Sequence, residues 1–298
     1  MEINTRSHLH RTGPLLIAAN HPNSFLDAVI VATLFKKPVY SLARGDVFRG
    51  GFVNRLLHSL NMLPVYRISE GAENLGHNYT TFESCKKIFQ QGGIVLIFSE
   101  GRCINEWRLR PLKKGTARLA LSAWEEGAPL EVLPLGINYS SFRKYGKKVI
   151  LNFGNPIQRT DIDTPYSGGK AIQQFNETLE RELKEQVYEL HPQDLDQRKK
   201  LFEEPVSLLK RVLLFLPALA GLIIHAPFYF LVDGYIRGKS NDHYDSILVG
   251  LLFFGYPVLV LLLTLVVYWI TGNLLALLLF VGIPATGMAY LHFRNLVN

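Results

Sequence analysis

A histidine and an aspartate six positions apart are the residues of this sequence best suited to general base chemistry. His21 and Asp27 lie in the segment NHPNSFLD, residues 20–27. A carboxylate beside a histidine fixes the imidazole tautomer, orients the ring and stabilises the imidazolium that forms when a hydroxyl gives up its proton. Taken alone, such a pair also fits a structural histidine at the end of a strand, so the surrounding elements must decide between the two.

The elements that must position this pair alternate between strands and helices. Short apolar runs predict strands, and apolar positions at helical spacing between them predict helices; the predicted strands cover residues 15–19, 39–43, 62–66, 94–98, 132–137 and 149–153. This alternation indicates an α/β fold with a largely parallel sheet flanked by helices. In such sheets, sites lie beyond the carboxyl ends of strands. His21, Arg67 and Glu100 each follow a predicted strand, which favours a functional role.

The geometry of the His21 turn can be predicted from the residues that follow it. On one continuous helix, six positions would point His21 and Asp27 about 240° apart, so a helical His21 cannot meet Asp27. Pro22 favours a helix that begins just after it, and we predict a start within residues 23–25. Asp27 then lies in the first turn, and we expect an imidazole nitrogen within about 3.5 Å of its carboxylate. Ser24 is expected to cap the helix.

The last third of the sequence is nearly free of charge. Between residues 212 and 293 the only charged side chains are Asp233, Arg237, Lys239, Asp242 and Asp245. A membrane span needs roughly 20 apolar residues, and three segments meet this requirement, at residues 212–232, 247–270 and 274–293. The sequence therefore predicts a catalytic domain over residues 1–207, followed by a C-terminal membrane domain over residues 208–298 with two or three transmembrane helices.

Composition and charge narrow the class of protein further. A formal net charge of +7 suits an anionic membrane surface, phosphorylated substrates or nucleic acid, but no known nucleic-acid-binding motif accompanies it. Cys85 and Cys103 lack the spacing of metal ligands, as do the histidines, so no metal site is predicted. Residues 1–13 have no apolar core, so no signal peptide is expected there. Basic residues before the first span predict a catalytic domain on the cytoplasmic face.

Four short blocks of sequence occur in order between residues 13 and 156. The first is the segment NHP with Asp27; the second is LPVYR, which ends in Arg67; the third is FSEGR, at residues 98–102; and the fourth is VLPL, at residues 132–135. Together they resemble the glycerolipid acyltransferase family, of the 1-acyl-glycerol-3-phosphate and glycerol-3-phosphate O-acyltransferase type. Five residues separate His21 from Asp27 instead of the usual four, as in a branch of the family with one extra residue. Ser99 stands where the family has proline, and an arginine directly follows the glycine of the third block instead of coming one residue later.

The resemblance assigns a role to each block. His21 and Asp27 would be the catalytic pair, Arg67 and Arg102 would hold the phosphate of the acceptor through bidentate hydrogen bonds, and Glu100 with Gly101 would complete the substrate-binding block. The reaction implied is transfer of a fatty acyl group from acyl-CoA or acyl carrier protein to a hydroxyl of a phosphorylated glycerolipid such as lysophosphatidic acid. No cofactor is required. The implied partners are a membrane lipid and the acyl donor.

Other functions remain open at this point. Glycerol-3-phosphate or a different lipid head group is an alternative acceptor, since an arginine pair recognises any phosphate. A non-catalytic membrane scaffold is an alternative from another class, in which the longer spacing between His21 and Asp27 has ended activity. A serine hydrolase is disfavoured because the sequence has no Gly-x-Ser-x-Gly segment. The expected location is a membrane, in a multi-pass arrangement, as for a bacterial inner-membrane enzyme; the sequence predicts no oligomeric state.

Overall fold

The computed structural model describes residues 1–66, 75–165, 168–191, 193–202, 208–237 and 243–297. The chain forms two compact units. The first contains Met1–Tyr139 and Val149–Pro192, and the second contains Ser140–Lys148 and Gln193–Asn298. The domain boundary predicted at Ser207 lies outside the described residues and stays a prediction.

The first unit is built on a seven-stranded sheet with the order β1-β7-β6-β2-β5-β3-β4. All neighbouring strands are parallel except β6 and β7. This arrangement confirms the predicted α/β class with a largely parallel sheet. The strands are β1 (Glu2–Ile3), β2 (Leu15–Ala19), β3 (Val39–Arg44), β4 (Met62–Val65), β5 (Ile94–Phe98), β6 (Glu131–Tyr139) and β7 (Val149–Phe153).

Helices connect the strands and cover the sheet. The central strands β2 and β5 are continuous apolar runs because parallel strands are buried on both faces, and Leu16, Val95 and Leu96 are fully buried. Each such side chain contributes about 1.5–3 kcal/mol through burial. The helices of this unit are α1 (Phe25–Ala32), α2 (Gly51–Ser59), α3 (Leu75–Gln90), α4 (Lys114–Glu125) and α5 (Gly169–Gln186).

The strand order brings three chain segments to one edge of the sheet. Strand β2 lies between β5 and β6, with Ala19 beside both Phe98 and Leu135. The residues that follow the carboxyl ends of these strands therefore gather together. Strand β6 ends two residues beyond the predicted limit, at Tyr139, because its antiparallel partner pairs Tyr139 with Val149. This pairing could not be predicted from the apolar pattern of β6 alone.

The second unit is mainly helical. It contains α6 (Leu195–Phe202), which was not predicted, α7 (Leu208–Ile236), α8 (Tyr244–Thr271) and α9 (Leu279–Val297), the last preceded by a 3-10 turn over Leu274–Leu278. Three of its segments, Leu208–Ile236, Tyr244–Thr271 and Leu274–Arg294, are long and apolar enough to cross a membrane. The prediction of a C-terminal segment with two or three such helices is confirmed.

Two buried aspartates of the second unit have polar partners. Lys147, in the turn between β6 and β7, forms a buried ion pair with Asp245 in the first turn of α8. The hydroxyl of Tyr244 donates to Asp233, which also pairs with Arg237. Such pairing is expected because an unpaired charge in an apolar environment is costly.

Candidate active site

The turn between β2 and α1 brings His21 and Asp27 together. The helix begins at Phe25, within the predicted range, so His21 lies outside it and Asp27 lies in its first turn. Ser24, directly before the helix, has a positive φ of 54°. Nδ1 of His21 lies 2.9 Å from Oδ2 of Asp27. The predicted contact is confirmed, and the extra residue of the segment is accommodated in the turn.

The capping role predicted for Ser24 is wrong. Ser24 occupies the N-cap position, but its side chain makes no capping hydrogen bond, because its backbone is outside the extended region that capping residues normally adopt. The backbone N–H of Ser24 instead donates to Sγ of Cys103, at 2.8 Å. The carboxylate of Asp27 accepts the N–H of Asn23, at 2.8 Å, and so connects the first turn of α1 to the residues before it.

Asp27 is fully buried and accepts three hydrogen bonds. Oδ2 accepts from the N–H of Asn23 and faces His21, while Oδ1 accepts from the hydroxyl of Tyr139 at 2.7 Å. A buried carboxylate is costly without such donors. The three contacts offset this cost and determine which oxygen faces the imidazole.

The imidazole of His21 is held on one side and open on the other. It stacks on the ring of Phe98, with centroids 3.8 Å apart, and its side chain is 17% exposed whereas that of Asp27 is 0% exposed. A carboxylate at Nδ1 favours the tautomer with the proton on Nδ1, which leaves Nε2 as an acceptor. Within the described part of the chain, Nε2 has no hydrogen-bond partner, so it is free to accept a proton from a bound molecule.

Glu100 ties the loop after β5 to the His21 turn. It is buried, and its two carboxylate oxygens accept the backbone N–H groups of His21, at 3.0 Å, and of Arg110, at 2.8 Å. Burial raises the pKa of Glu100, and these two N–H donors oppose the increase. The structure gives Glu100 a role in positioning His21. Its predicted contact with an acceptor hydroxyl stays a prediction.

Gly101 and Ser99 shape the same loop. Gly101 has a φ of +67°, and a Cβ atom there would lie 3.0 Å from Cγ of Lys113, so the position favours glycine. Ser99, which stands where the resembled family has proline, accepts a hydrogen bond from the hydroxyl of Thr116 at 3.0 Å. The N–H of Ser99 donates to Ala19 at 2.9 Å. This serine therefore links β5 to α4 and to β2.

Of the two arginines predicted to hold the acceptor phosphate, the structure describes only Arg102. Arg102 is exposed, directly after the glycine of this loop, and no described residue pairs with its guanidinium. It is therefore available to a ligand. Arg67 lies outside the described residues. His21 thus contacts Asp27 through its imidazole and Glu100 through its backbone N–H. Gly101 and Arg102 lie in the same loop as Glu100.

Several residues that hold the site were missed by the sequence analysis. The loop after Arg102 contributes Cys103 to the turn, and Asn105, whose amide donates to the carbonyl of Pro22 at 2.7 Å. The indole of Trp107 donates to the carbonyl of Tyr139 at 2.6 Å. The position of Tyr139 carried a usable signal, since it lies where the apolar run of β6 ends at the carboxyl edge of the sheet. Its contact with Asp27 spans 112 positions and has no local signature.

Comparison with known proteins gives one family match and one similar solved structure. No curated protein sequence gives a significant match. Among solved structures, the 1-acyl-sn-glycerophosphate (LPA) acyltransferase PlsC from Thermotoga maritima is similar, with a TM-score of 0.45, 14% identity, and coverage of 62% of this chain and 70% of that one. Residues 1–138 match the model of the family described as Acyltransferase. The matched segment contains the His21 and Asp27 pair and the loop of Glu100.

Proposed function

We propose that this acyltransferase transfers a fatty acyl group from acyl-CoA or acyl carrier protein to a hydroxyl of a phosphorylated glycerolipid, with lysophosphatidic acid as the leading acceptor. The observation that carries the proposal is the 2.9 Å contact between Nδ1 of His21 and Asp27, which leaves Nε2 open. An imidazole held in this way can remove a proton from an alcohol.

The reaction follows from the direction of the imidazole. As the acceptor oxygen attacks the thioester carbonyl, Nε2 of His21 takes the hydroxyl proton, and the imidazolium is stabilised by Asp27 at 2.9 Å. When the carbon–sulfur bond breaks, the thiolate leaves and takes that proton from Nε2. Acceptor oxygen and acyl carbon are then joined as an ester, and His21 is neutral again. No acyl-enzyme intermediate is needed.

Exposed cations in the loop after β5 and at the start of α4 suit a phosphorylated acceptor. Arg102 is free to form a bidentate contact with phosphate, and we assign Arg67 to the same phosphate from the resemblance alone. Lys113 and Lys114 are exposed at the start of α4 and are candidates for the phosphates of the donor.

The C-terminal helices support an integral membrane location. We propose that the three apolar segments span the membrane. Basic residues before the first segment, Lys199 and Lys200, and in its first turn, Lys210 and Arg211, would keep the catalytic unit on the cytoplasmic face, as for a bacterial inner-membrane enzyme. A lipid acceptor would then be supplied from the same bilayer.

An acceptor panel tests the proposal. Purified full-length protein in detergent would be assayed with acyl-CoA and with acyl carrier protein against lysophosphatidic acid, glycerol-3-phosphate and lysophospholipids with other head groups. The His21→Ala variant provides the background rate, and its activity should be about 10²- to 10⁴-fold lower than that of the parent. If glycerol-3-phosphate is acylated faster than lysophosphatidic acid, glycerol-3-phosphate is the preferred acceptor. If no acceptor is acylated above the His21→Ala background, the chain is a non-catalytic membrane protein.

A further inference from the structure

We propose that Tyr139 is a positioning residue of the active site, which acts by holding the carboxylate of Asp27 so that one of its oxygens faces His21. The inference rests on the proposed function, since it assigns a third member to the same catalytic pair. It is carried by one direct contact, the 2.7 Å hydrogen bond from the hydroxyl of Tyr139 to Oδ1 of Asp27.

The donors around Asp27 explain why this contact matters. Oδ2 receives two donors, the N–H of Asn23 and Nδ1 of His21, whereas Oδ1 receives the hydroxyl of Tyr139. If the hydroxyl is removed, Oδ1 stays buried but loses its hydrogen-bond donor. The carboxylate would then be stabilised by a rotation that gives one oxygen the N–H of Asn23 and the other Nδ1 of His21. Such a rotation would weaken the contact that orients the imidazole.

The surroundings of Tyr139 keep its hydroxyl in place as a donor. The side chain is 0% exposed, and burial, followed by the nearby charge of Asp27, raises the pKa of Tyr139 well above its ordinary value. The phenol therefore keeps its proton throughout the pH range of an assay. The carbonyl of Tyr139 accepts the indole N–H of Trp107, and its backbone pairs with β7.

Other titratable groups near the imidazole are held by different contacts. Glu100 faces the turn from the end of β5, but its oxygens are bound to backbone N–H groups of His21 and Arg110. The thiol of Cys103 is bound to the N–H of Ser24. The Tyr139 hydroxyl takes part in none of these hydrogen bonds; besides Asp27 it bonds to the side chain of Asn23, which does not titrate. A changed pH profile in a variant without the hydroxyl would therefore report on the link between Asp27 and His21.

The test compares Tyr139→Phe with a matched control in the full-length protein. Tyr139→Phe should lower kcat about tenfold, leave KM for donor and acceptor within about twofold, and move the acid limb of the kcat/KM profile to lower pH by about half a unit, because the imidazolium is held less firmly. Tyr244→Phe removes a similar buried bond between a tyrosine and an aspartate, Asp233, and should change neither kcat nor the profile. A kcat for Tyr139→Phe within twofold of the parent would overturn the proposal.

A double-mutant cycle separates positioning from a general structural effect. If Tyr139 acts through Asp27, Tyr139→Phe should cost less than about twofold in an Asp27→Asn background, whereas independent effects would multiply. Multiplication of the two losses would overturn the proposal. It would leave the proposed function intact as long as the parent still acylates an acceptor above the His21→Ala background.

A donor-bearing replacement covers the case in which the phenylalanine variant does not fold. Tyr139→p-aminophenylalanine keeps an N–H donor at nearly the same place and should retain kcat within about threefold and the parent acid limb. A folded variant of this kind that lost tenfold or more would contradict the role of the donor. Rates are compared per amount of folded, monodisperse protein.

Discussion

Replacement of Asp27 by asparagine removes the charge behind His21 while keeping the shape of the site. Asp27 is fully buried, and its two oxygens have different neighbours. In one orientation the amide oxygen of the variant accepts from Asn23 and His21 while the amide nitrogen faces the hydroxyl of Tyr139, which can turn to accept. The opposite orientation would set the amide nitrogen against two donors. The first orientation should therefore form.

The expected loss follows from the missing charge. In the parent, imidazolium and carboxylate form with their charge centres about 4 Å apart, and at an effective dielectric constant of about 20 their interaction is about 4 kcal/mol. Its removal from the transition state corresponds to about 10³-fold in kcat. KM should change little, because Asp27 is too deeply buried to contact a substrate.

The assay for Asp27→Asn is steady-state acylation in mixed micelles, at saturating donor and acceptor, with circular dichroism and a thermal melt to confirm the fold. Asp27→Ala serves as a comparison, because it also removes the acceptor of three donors and should lower the melting temperature as well. An Asp27→Asn variant that keeps more than a tenth of the parent kcat would show that Asp27 does not support a base at His21.

Three further changes test the neighbouring loop. Arg102→Ala should raise KM for a phosphorylated acceptor about tenfold and leave KM for the donor unchanged; the opposite pattern in steady-state kinetics would assign Arg102 to the donor. Gly101→Ala places a side chain at a φ of +67°, which should cost about 1–2 kcal/mol of folding free energy. The melting temperature should therefore fall by about 2–8 °C, and an unchanged melting temperature would show that alanine is not strained there. Because burial raises the pKa of Glu100, the folded protein holds this proton more tightly than the unfolded chain, and stability falls as pH rises from the ordinary carboxyl value to the raised one. In thermal melts recorded between about pH 4 and 7, Glu100→Gln should remove this part of the dependence of stability on pH. The same pH dependence in parent and variant would refute a raised pKa of Glu100.

Local rules were sufficient to predict the His21 turn. The helical period excluded a direct contact between His21 and Asp27 on one helix, and Pro22 restricted where a helix could begin. These are properties of neighbouring residues, so a helix start within residues 23–25 and a contact within about 3.5 Å could be predicted from them. The structure has the start at Phe25 and the contact at 2.9 Å. The capping prediction for Ser24 failed because the tertiary contact to Cys103 and the positive φ of Ser24 override its intrinsic preference.

Glu100 shows a different limit of sequence reasoning. Its position after β5 was predicted, since strand ends in a parallel sheet share an edge. Its partners were not, because a carboxylate in a loop can face a ligand, a cation or backbone N–H groups, and the residue type is the same in each case. Only the folded loop decides that Glu100 binds the N–H groups of His21 and Arg110.

The amino-acid sequence by itself determined the alternating α/β pattern, the apolar C-terminal helices and the order of the four blocks, because each depends on periodicity or on residues close together in the chain. The tertiary structure alone decided that Tyr139 binds Asp27. For that contact, β6 must lie beside β2. It must also extend as far as Tyr139, which pairs with Val149 of β7. Strand order and strand ends are set by packing between distant segments, which no local pattern records.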